Sequence, residues 1–333
     1  MGNKERIHYI DVAKGILILF VIYGHTYSRS QCLENNVINI IRTSLNGCIP
    51  FYMPCFFVIT GLCSNFNKPL KQIIWNSFKT ILLPSYFISL LILLPNFSLE
   101  NLFNLLKRIV LYGSEYWFLT VLFISRIIYC ILIKNAKKHV GIISITFFLF
   151  GYALQLIRPS QYYWWFDHVL LLIPFLYLGH LVKSNNKIFT LTPKLYIPLL
   201  GLTIFGAHYG ILRIDYFYHV PAITQALINT NVSMFFPLIL LSISGSLMLL
   251  YISKKINKNI FLEYVGRNSL IYYCLHGAVM AELFSYFKDA LLINNVFYST
   301  LIIIFVLFTT ILFVSIVAYI LNLKYIKVLI GKF

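Results

Sequence analysis

The sequence predicts an all-α fold, a polytopic membrane helix bundle of about ten transmembrane helices forming one domain over residues 1–333. Three observations predict it. The chain is 59% hydrophobic and only 11% charged, against about one quarter charged in soluble domains. Its mean hydropathy is +0.81, and its apolar runs approach the roughly 20 residues that cross a bilayer as a helix. Those runs show no alternation of polar and apolar positions, so their backbone groups must be satisfied within helices rather than in a barrel.

The spans fall near 9–27, 46–64, 80–95, 115–133, 140–157, 166–182, 195–212, 232–252, 268–286 and 297–322. A net charge of +17 raises the question of nucleic acid, but the distribution of the charge answers it. With loops assigned alternately to the two sides, eighteen Lys and Arg fall on one side and seven on the other, while Lys14 and Arg126 lie inside spans. The positive-inside rule then places both termini in the cytoplasm of a multi-pass cell-membrane (inner or plasma membrane) protein, with membrane lipids as partners and no nucleic acid. Lys4 and Arg6 resemble a signal-peptide n-region, yet Asp11 and Lys14 interrupt the apolar run and no small-residue cleavage site follows, so the segment reads as retained. Of six cysteines, Cys32 and Cys48 flank the first outer loop, where they can pair or stay free; none shows metal-ligand spacing. Residues 99–111 place Leu99, Leu102, Phe103, Leu106, Ile109 and Val110 on one helical face, which predicts a helix lying along the outer interface.

The first span, RIHYIDVAKGILILFVIYGHTY, carries Asp11, Lys14 and His25. An ionisable group at bilayer depth costs about 2.5–3.5 kcal/mol on insertion scales, so such groups face the bundle interior and have a task. At about 100° per residue, Asp11 and Lys14 sit about 60° apart, and His25 follows Lys14 by three turns plus about 20°. All three share one stripe. Lys14 and His25 are about 16 Å apart along the axis, so they suit two ends of one elongated ligand rather than one atom. The competing reading makes Asp11 and Lys14 a self-neutralising i, i+3 pair, with His25 bonded to a nearby carbonyl.

RIHYIDVAKG followed by VIYGH resembles the opening of acyltransferase family 3, the integral-membrane acyltransferases, in its Lys-x10-His spacing. Five further stretches match that family in order: PFYMPCFFVITGL (50–62), KTILLPSYF (79–87), EYWFLTVL (115–122), LLIPFLYLGHL (171–181) and VGRNSLIYYCLH (265–276). The Asp-x-x-Lys-Gly opening is similar to the fucose 4-O-acetylase-like branch. The resemblance implies about ten helices, acetyl-CoA or another acyl-CoA as donor from the cytoplasm, and a hydroxyl acceptor on a surface or lipid-linked saccharide. Some relatives carry an additional soluble esterase-like domain; here the transfer is expected within the membrane domain. Thr60 stands where the family often has serine, and Lys14 where it often has arginine, which loses bidentate phosphate geometry.

Acyl transfer from a thioester needs a base for the hydroxyl, orientation, and stabilisation of the oxyanion. His25 is the candidate base, with Lys14 toward the donor and Asp11 orienting or neutralising Lys14. His276, eight residues into its span, is a candidate ligand of acyl-CoA or of the oxyanion, or else a histidine packed against a carbonyl. Lys68, Lys71, Lys79 and Arg267 are candidates for the donor's phosphates, each also readable as a positive-inside residue. Glu115, Trp117 and Asp167 lie near the outer boundary, where carboxylates and aromatic rings can hold a sugar; Trp117 and Tyr162 to Trp165 also suit an interfacial aromatic belt. His168 and His180, twelve residues apart, share a stripe near span ends. Arg126 requires a partner from another helix. No metal is implied. Two rival functions stay open: a transporter using Asp11, Lys14, Arg126, Asp167 and Glu282, and an acyltransferase acting on a non-glycan hydroxyl compound.

Overall fold

The computed structural model describes residues 7–29, 49–157, 162–185, 235–287, 296–324 and 326–331. The span expected at 195–212 and the Cys32–Cys48 question lie outside the described residues. Every described element is helical, with no strand among the described residues. In chain order they are α1 (His8–Arg29), α2 (Ile49–Cys63), α3 (Leu70–Ser77), α4 (Leu83–Leu93), α5 (Leu99–Tyr112), α6 (Trp117–Asn135), α7 (Val140–Ile157), α8 (Phe166–Ser184), α9 (Phe235–Ile256), α10 (Ile260–Arg267), α11 (Ser269–Tyr286) and α12 (Val296–Leu321).

Among the described residues, six helical stretches are long and apolar enough to cross a membrane: His8–Thr26, Leu70–Asn96, Leu99–Asn135, Tyr163–Ser184, Ile239–Ile256 and Phe297–Leu321. Phe51–Cys63 and Val140–Leu154 are apolar but shorter. The expected count of about ten is therefore not confirmed among the described residues. The span expected at 268–286 does form α11, but its tyrosines, His276 and Glu282 dilute its apolar content. The segment expected at 80–95 is continuous with α3, because a π-helical turn at Phe78–Leu82 joins α3 to α4.

The helix expected along the interface is α5. Ser98 caps it by accepting from the Asn101 N–H at 3.1 Å. Leu105 is buried, whereas Leu99, Phe103, Leu106 and Val110 form an exposed stripe. Glu100, Lys107 and Arg108 stay exposed as well. A helix with one face on protein, one apolar face exposed and one charged face fits the headgroup boundary.

The chain divides into two compact units. The described part of the first holds α1, α2 through Phe56, and α9 to α12 through Ala318. Its central contact is α1 on α10. A Cβ on Gly266 would collide with the carbonyl oxygen of Asp11, and one on Gly15 with the carbonyl oxygen of Leu262, so the two backbones touch. In lipid, where apolar surfaces gain little from meeting each other, such small-residue approaches hold helices together. Toward α12, the Tyr272 hydroxyl of α11 meets Ser315 Oγ, and the Tyr264 hydroxyl of α10 donates to the Ser315 carbonyl at 2.9 Å.

The second unit holds α2 from Phe57, α3 to α8, and residues 319–333. Here α2 lies backbone to backbone on α8, at Gly61 against the Leu176 carbonyl and at Gly179 against the Val58 carbonyl. Phe57 meets Phe118 of α6 edge-on at 5.7 Å between ring centres. The Ser125 hydroxyl donates to the Val169 carbonyl at 3.4 Å, tying α6 to α8.

Gly266→Val inserts bulk where a carbonyl stands, and overpacking of this kind costs about 1–3 kcal/mol. It is expected to lower the thermal midpoint of the purified protein. Gly277→Ala, whose added Cβ meets no atom among the described residues within 4 Å, is expected to leave the midpoint unchanged or raise it slightly. Scanning fluorimetry of both variants in one detergent checks the contrast.

Candidate active site

The α1–α10 contact positions the first cluster. His8, the first residue of α1, places Nδ1 2.9 Å from Oε2 of Glu263 on α10. One turn on, Asp11 is buried at the crossing with Gly266, and Lys14 follows, half-buried. Arg267 follows Gly266 directly; its Nε donates to the Glu263 carbonyl at 3.1 Å, and its Nη2 lies 4.0 Å from the Glu263 carboxylate. Asp11, Lys14 and Arg267 therefore gather at one end of the α1–α10 pair. The hydrogen bond from His8, with smaller contributions from the His8 and Arg267 charges, lowers the Glu263 carboxyl below its ordinary value of 4.5 against the opposing effect of burial.

About 16 Å along α1, its stripe ends at His25. The ring of His25 lies edge-on to that of His276, with centres 4.8 Å apart and planes at 66°. His276 comes from α11, which packs along α1; Thr26 reaches Met280 Sδ at 4.0 Å across the same contact. His276 is buried and its Nδ1 lies 2.8 Å from the Tyr272 carbonyl oxygen one turn back. A carbonyl oxygen only accepts, so Nδ1 carries the proton. His25 itself is exposed. The two histidines adjoin glycines with room beside them: a Cβ on Gly277 meets no atom among the described residues within 4 Å, and one on Gly24 meets only the Tyr52 hydroxyl, at 4.0 Å. Cations at one end and two imidazoles at the other make up this cluster.

The second unit has two chemically opposite ends. At one, the loop after α2 is held by Lys183 Nζ donating to the Ser64 carbonyl at 2.7 Å and Lys134 Nζ donating to the Lys68 carbonyl at 2.6 Å. Lys68 and Lys71 are exposed there, and Lys79 lies over the Trp75 ring at 5.4 Å. At the other end, Trp117 packs 5.3 Å from the ring of His168 and 6.1 Å from that of Trp165. Asp167 is buried, with Oδ2 2.9 Å from His168 Nδ1, close enough for an ion pair though not aligned as a hydrogen bond. Glu115 takes a 2.7 Å contact from Arg108 of α5. Trp164 and Trp165 sit at φ of 55° and 53°, a left-handed conformation that side-chain-bearing residues seldom adopt and that stores strain where it occurs.

Eleven residues were singled out from sequence. Five of them (Asp11, Lys14, His25, Arg267 and His276) lie in the first unit, and six (Lys68, Lys71, Lys79, Glu115, Trp117 and Asp167) in the second. Within the second unit, Trp117 and Asp167 converge on His168, while Glu115 is engaged by Arg108 and the three lysines lie at the opposite end. Sequence reasoning missed the His8–Glu263 pair, because 255 positions separate its members. It also undervalued His168 and Trp165, whose signal was an aromatic run directly before an Asp-His dipeptide. His180 is bonded by the Tyr129 hydroxyl at 3.1 Å. Arg126 is half-buried in α6, and its Nε has no hydrogen-bond partner among the described residues. Among the described residues no three His, Cys, Asp or Glu side chains come together as a metal site.

A polar stripe on an apolar helix that ends at two adjoining imidazoles, one exposed and one buried, fits a membrane enzyme that moves protons or acyl groups. The chain belongs to acyltransferase family 3: the family model described as an acyltransferase domain matches residues 7–320, nearly its whole length. No curated protein and no solved structure matches the chain.

Because the Glu263 carboxyl is lowered in the folded protein, its contribution to stability is present above pH 4.5 and is lost as pH falls through the lower folded value. Thermal midpoints measured from pH 6 down to pH 3 are expected to drop more steeply for the wild type than for Glu263→Gln.

Proposed function

We propose that this membrane acyltransferase moves an acetyl or other short acyl group from cytoplasmic acyl-CoA to a hydroxyl of a cell-surface or lipid-linked saccharide, in the manner of the fucose 4-O-acetylase-like branch. The single observation that carries this reading is the layout of the α1 stripe, with Lys14 and Arg267 at one end and His25 against His276 at the other, in a chain of this family. The roughly 16 Å between Lys14 and His25 suits a donor whose phosphates and thioester are held apart by a long arm.

His25 takes the proton of the acceptor hydroxyl as the oxygen bonds to the thioester carbonyl carbon. The tetrahedral oxyanion then collapses, the carbon–sulfur bond breaks, and the departing thiolate recovers the proton from the His25 imidazolium. Lys14 and Arg267 attract the donor's phosphates; within the second unit, Lys68, Lys71 and Lys79 are the cations assigned to donor binding. Asp11, buried beside the α10 backbone, orients Lys14. Glu115, Trp117 and Asp167 are assigned to the acceptor; Trp117 offers a face for a sugar ring, and Asp167 acts through His168. Membership of the family and the apolar helices support a membrane enzyme. The distribution of Lys and Arg supports cytoplasmic termini and a cytoplasmic donor.

Incubating the purified protein with radiolabelled acetyl-CoA and envelope glycan is expected to yield label that alkali releases from the glycan. His25→Ala is expected to reduce that transfer by about 10²–10⁴-fold, the contribution of a positioned general base. Label that never becomes alkali-labile on an acceptor, or transfer that survives His25→Ala, overturns the reading.

A further inference from the structure

We infer that Arg126 and Ser77 line an anion site within the second unit, which takes a phosphate or carboxylate group of a ligand near the middle of the span. The inference goes beyond the acyl-transfer reading and needs none of its steps. Arg126 is the tenth of the nineteen residues of α6, about 13 Å along the axis from either end. Basic residues near helix ends can snorkel to the headgroups, but one at the centre must meet its partner where it stands. It shares a face of α6 with Leu119, Cys130 and Ile133, which helical spacing places within about 40° of it. All three are buried. Cys130 donates from that face to the Phe66 carbonyl at 3.7 Å, so the face is turned onto the protein at the end of α2.

The described protein supplies no partner there. The Nε of Arg126 is shut off from solvent without a hydrogen-bond partner. The described carboxylates of the second unit are Glu100, Glu115 and Asp167. Glu115 meets Arg108, Asp167 meets His168, and Glu100 is exposed in the first turn of α5. Lys134 and Lys183, by contrast, direct their ammonium groups to backbone carbonyls.

A second orphaned donor lies at a similar depth. The helix α3 and the π-helical turn after it pack on α6. Lys68 meets Lys134 toward one end of this contact, and Tyr86 meets Gly113 toward the other. Ser77 stands midway between Lys68 and Tyr86 in the chain, and Arg126 within three residues of midway between Gly113 and Lys134. The two therefore lie within about one turn of each other in depth. Ser77 is fully buried, and its Oγ also has no hydrogen-bond partner, a state that buried hydroxyls rarely keep. A guanidinium fork and a hydroxyl form a donor set that suits an oxyanion. Arg126 as a whole is only half-buried, which leaves a ligand a way in.

The test titrates full-length protein, in a neutral detergent that brings no anion of its own, with coenzyme A, a polyprenyl phosphate, inorganic phosphate or glucuronate. Thermal midpoints give the affinities for wild type, Arg126→Met, Arg126→Lys and Ser77→Ala. At least one probe is expected to raise the wild-type midpoint saturably. Arg126→Met is expected to weaken that binding about tenfold to a hundredfold, the range of a hydrogen bond to a charged group. Arg126→Lys, which keeps the charge but not the fork, is expected to fall in between. Without a probe, Arg126→Met is expected to keep or raise the midpoint, since it removes a charge that the protein itself does not pair. Coenzyme A acting alone upholds the site with a nucleotide as its source, polyprenyl phosphate alone with a lipid-linked phosphate, and glucuronate alone with an acidic sugar. Action by inorganic phosphate as well upholds it as a general phosphate site. A wild type that answers none of the four overturns the inference, as does equal binding in wild type, Arg126→Met and Arg126→Lys. Should Arg126→Met lower both midpoint and binding, Arg126→Lys and Ser77→Ala decide. Weakened binding at a wild-type midpoint in either upholds the site, and unweakened binding in both overturns it. No turnover is measured, so failure of the acyl-transfer reading leaves this result standing.

Discussion

Where the Cβ of Gly266 would stand, the carbonyl oxygen of Asp11 already sits, and where that of Gly15 would stand, so does the carbonyl oxygen of Leu262. This backbone contact fixes α1 against α10 in both depth and rotation, because only one register brings each glycine opposite a carbonyl. From it follow the burial of Asp11, the pairing of His8 with Glu263, and the approach of α11, which continues directly from α10 through Asn268. With α1 and α11 so aligned, His25 and His276 meet. The candidate catalytic contact is thus set at its far end by two residues with no side chains.

The second unit solves the bilayer's demand on polar groups differently. Its ends are specialised, one carrying lysines that bond to backbone carbonyls and the other holding tryptophans around an Asp-His pair. Long lysine stems reach the carbonyls of Ser64 and Lys68 in the loop after α2, which satisfies both groups at once. At the aromatic end the strained Trp164 and Trp165 are held by neighbours: the Trp164 indole donates to the Val110 carbonyl at 3.1 Å, and Trp165 packs on Tyr112 and Trp117. Strain persists only where surroundings over-determine it.

Much of this was legible in the sequence, and the reasons differ by residue. Helical class follows from composition, because lipid leaves few other options for a long apolar chain. The stripe on α1 was legible because helical periodicity is local arithmetic, and the family resemblance followed from motifs that are each short and ordered. The close packing of Gly15 on Gly266 was not, since it joins residues 251 positions apart and a lone glycine in a helix has many explanations. The number of spans is not confirmed, because six stretches qualify among the described residues while the one expected at 195–212 lies outside them, and α11 trades apolar content for tyrosines and His276. The tautomer of His276 depends on a carbonyl one turn away, which the sequence places nearby but cannot orient.

Tyr264 and Tyr272, from two successive helices, both end on Ser315 of α12. The rest of that helix is mostly aliphatic and aromatic, and many of its side chains face outward. Its lipid-contacting positions are free to drift among aliphatic residues over evolutionary time, whereas Ser315 anchors the scaffold from which the second imidazole hangs. An inherited change at that serine would loosen the seat of two tyrosines without ever touching a substrate.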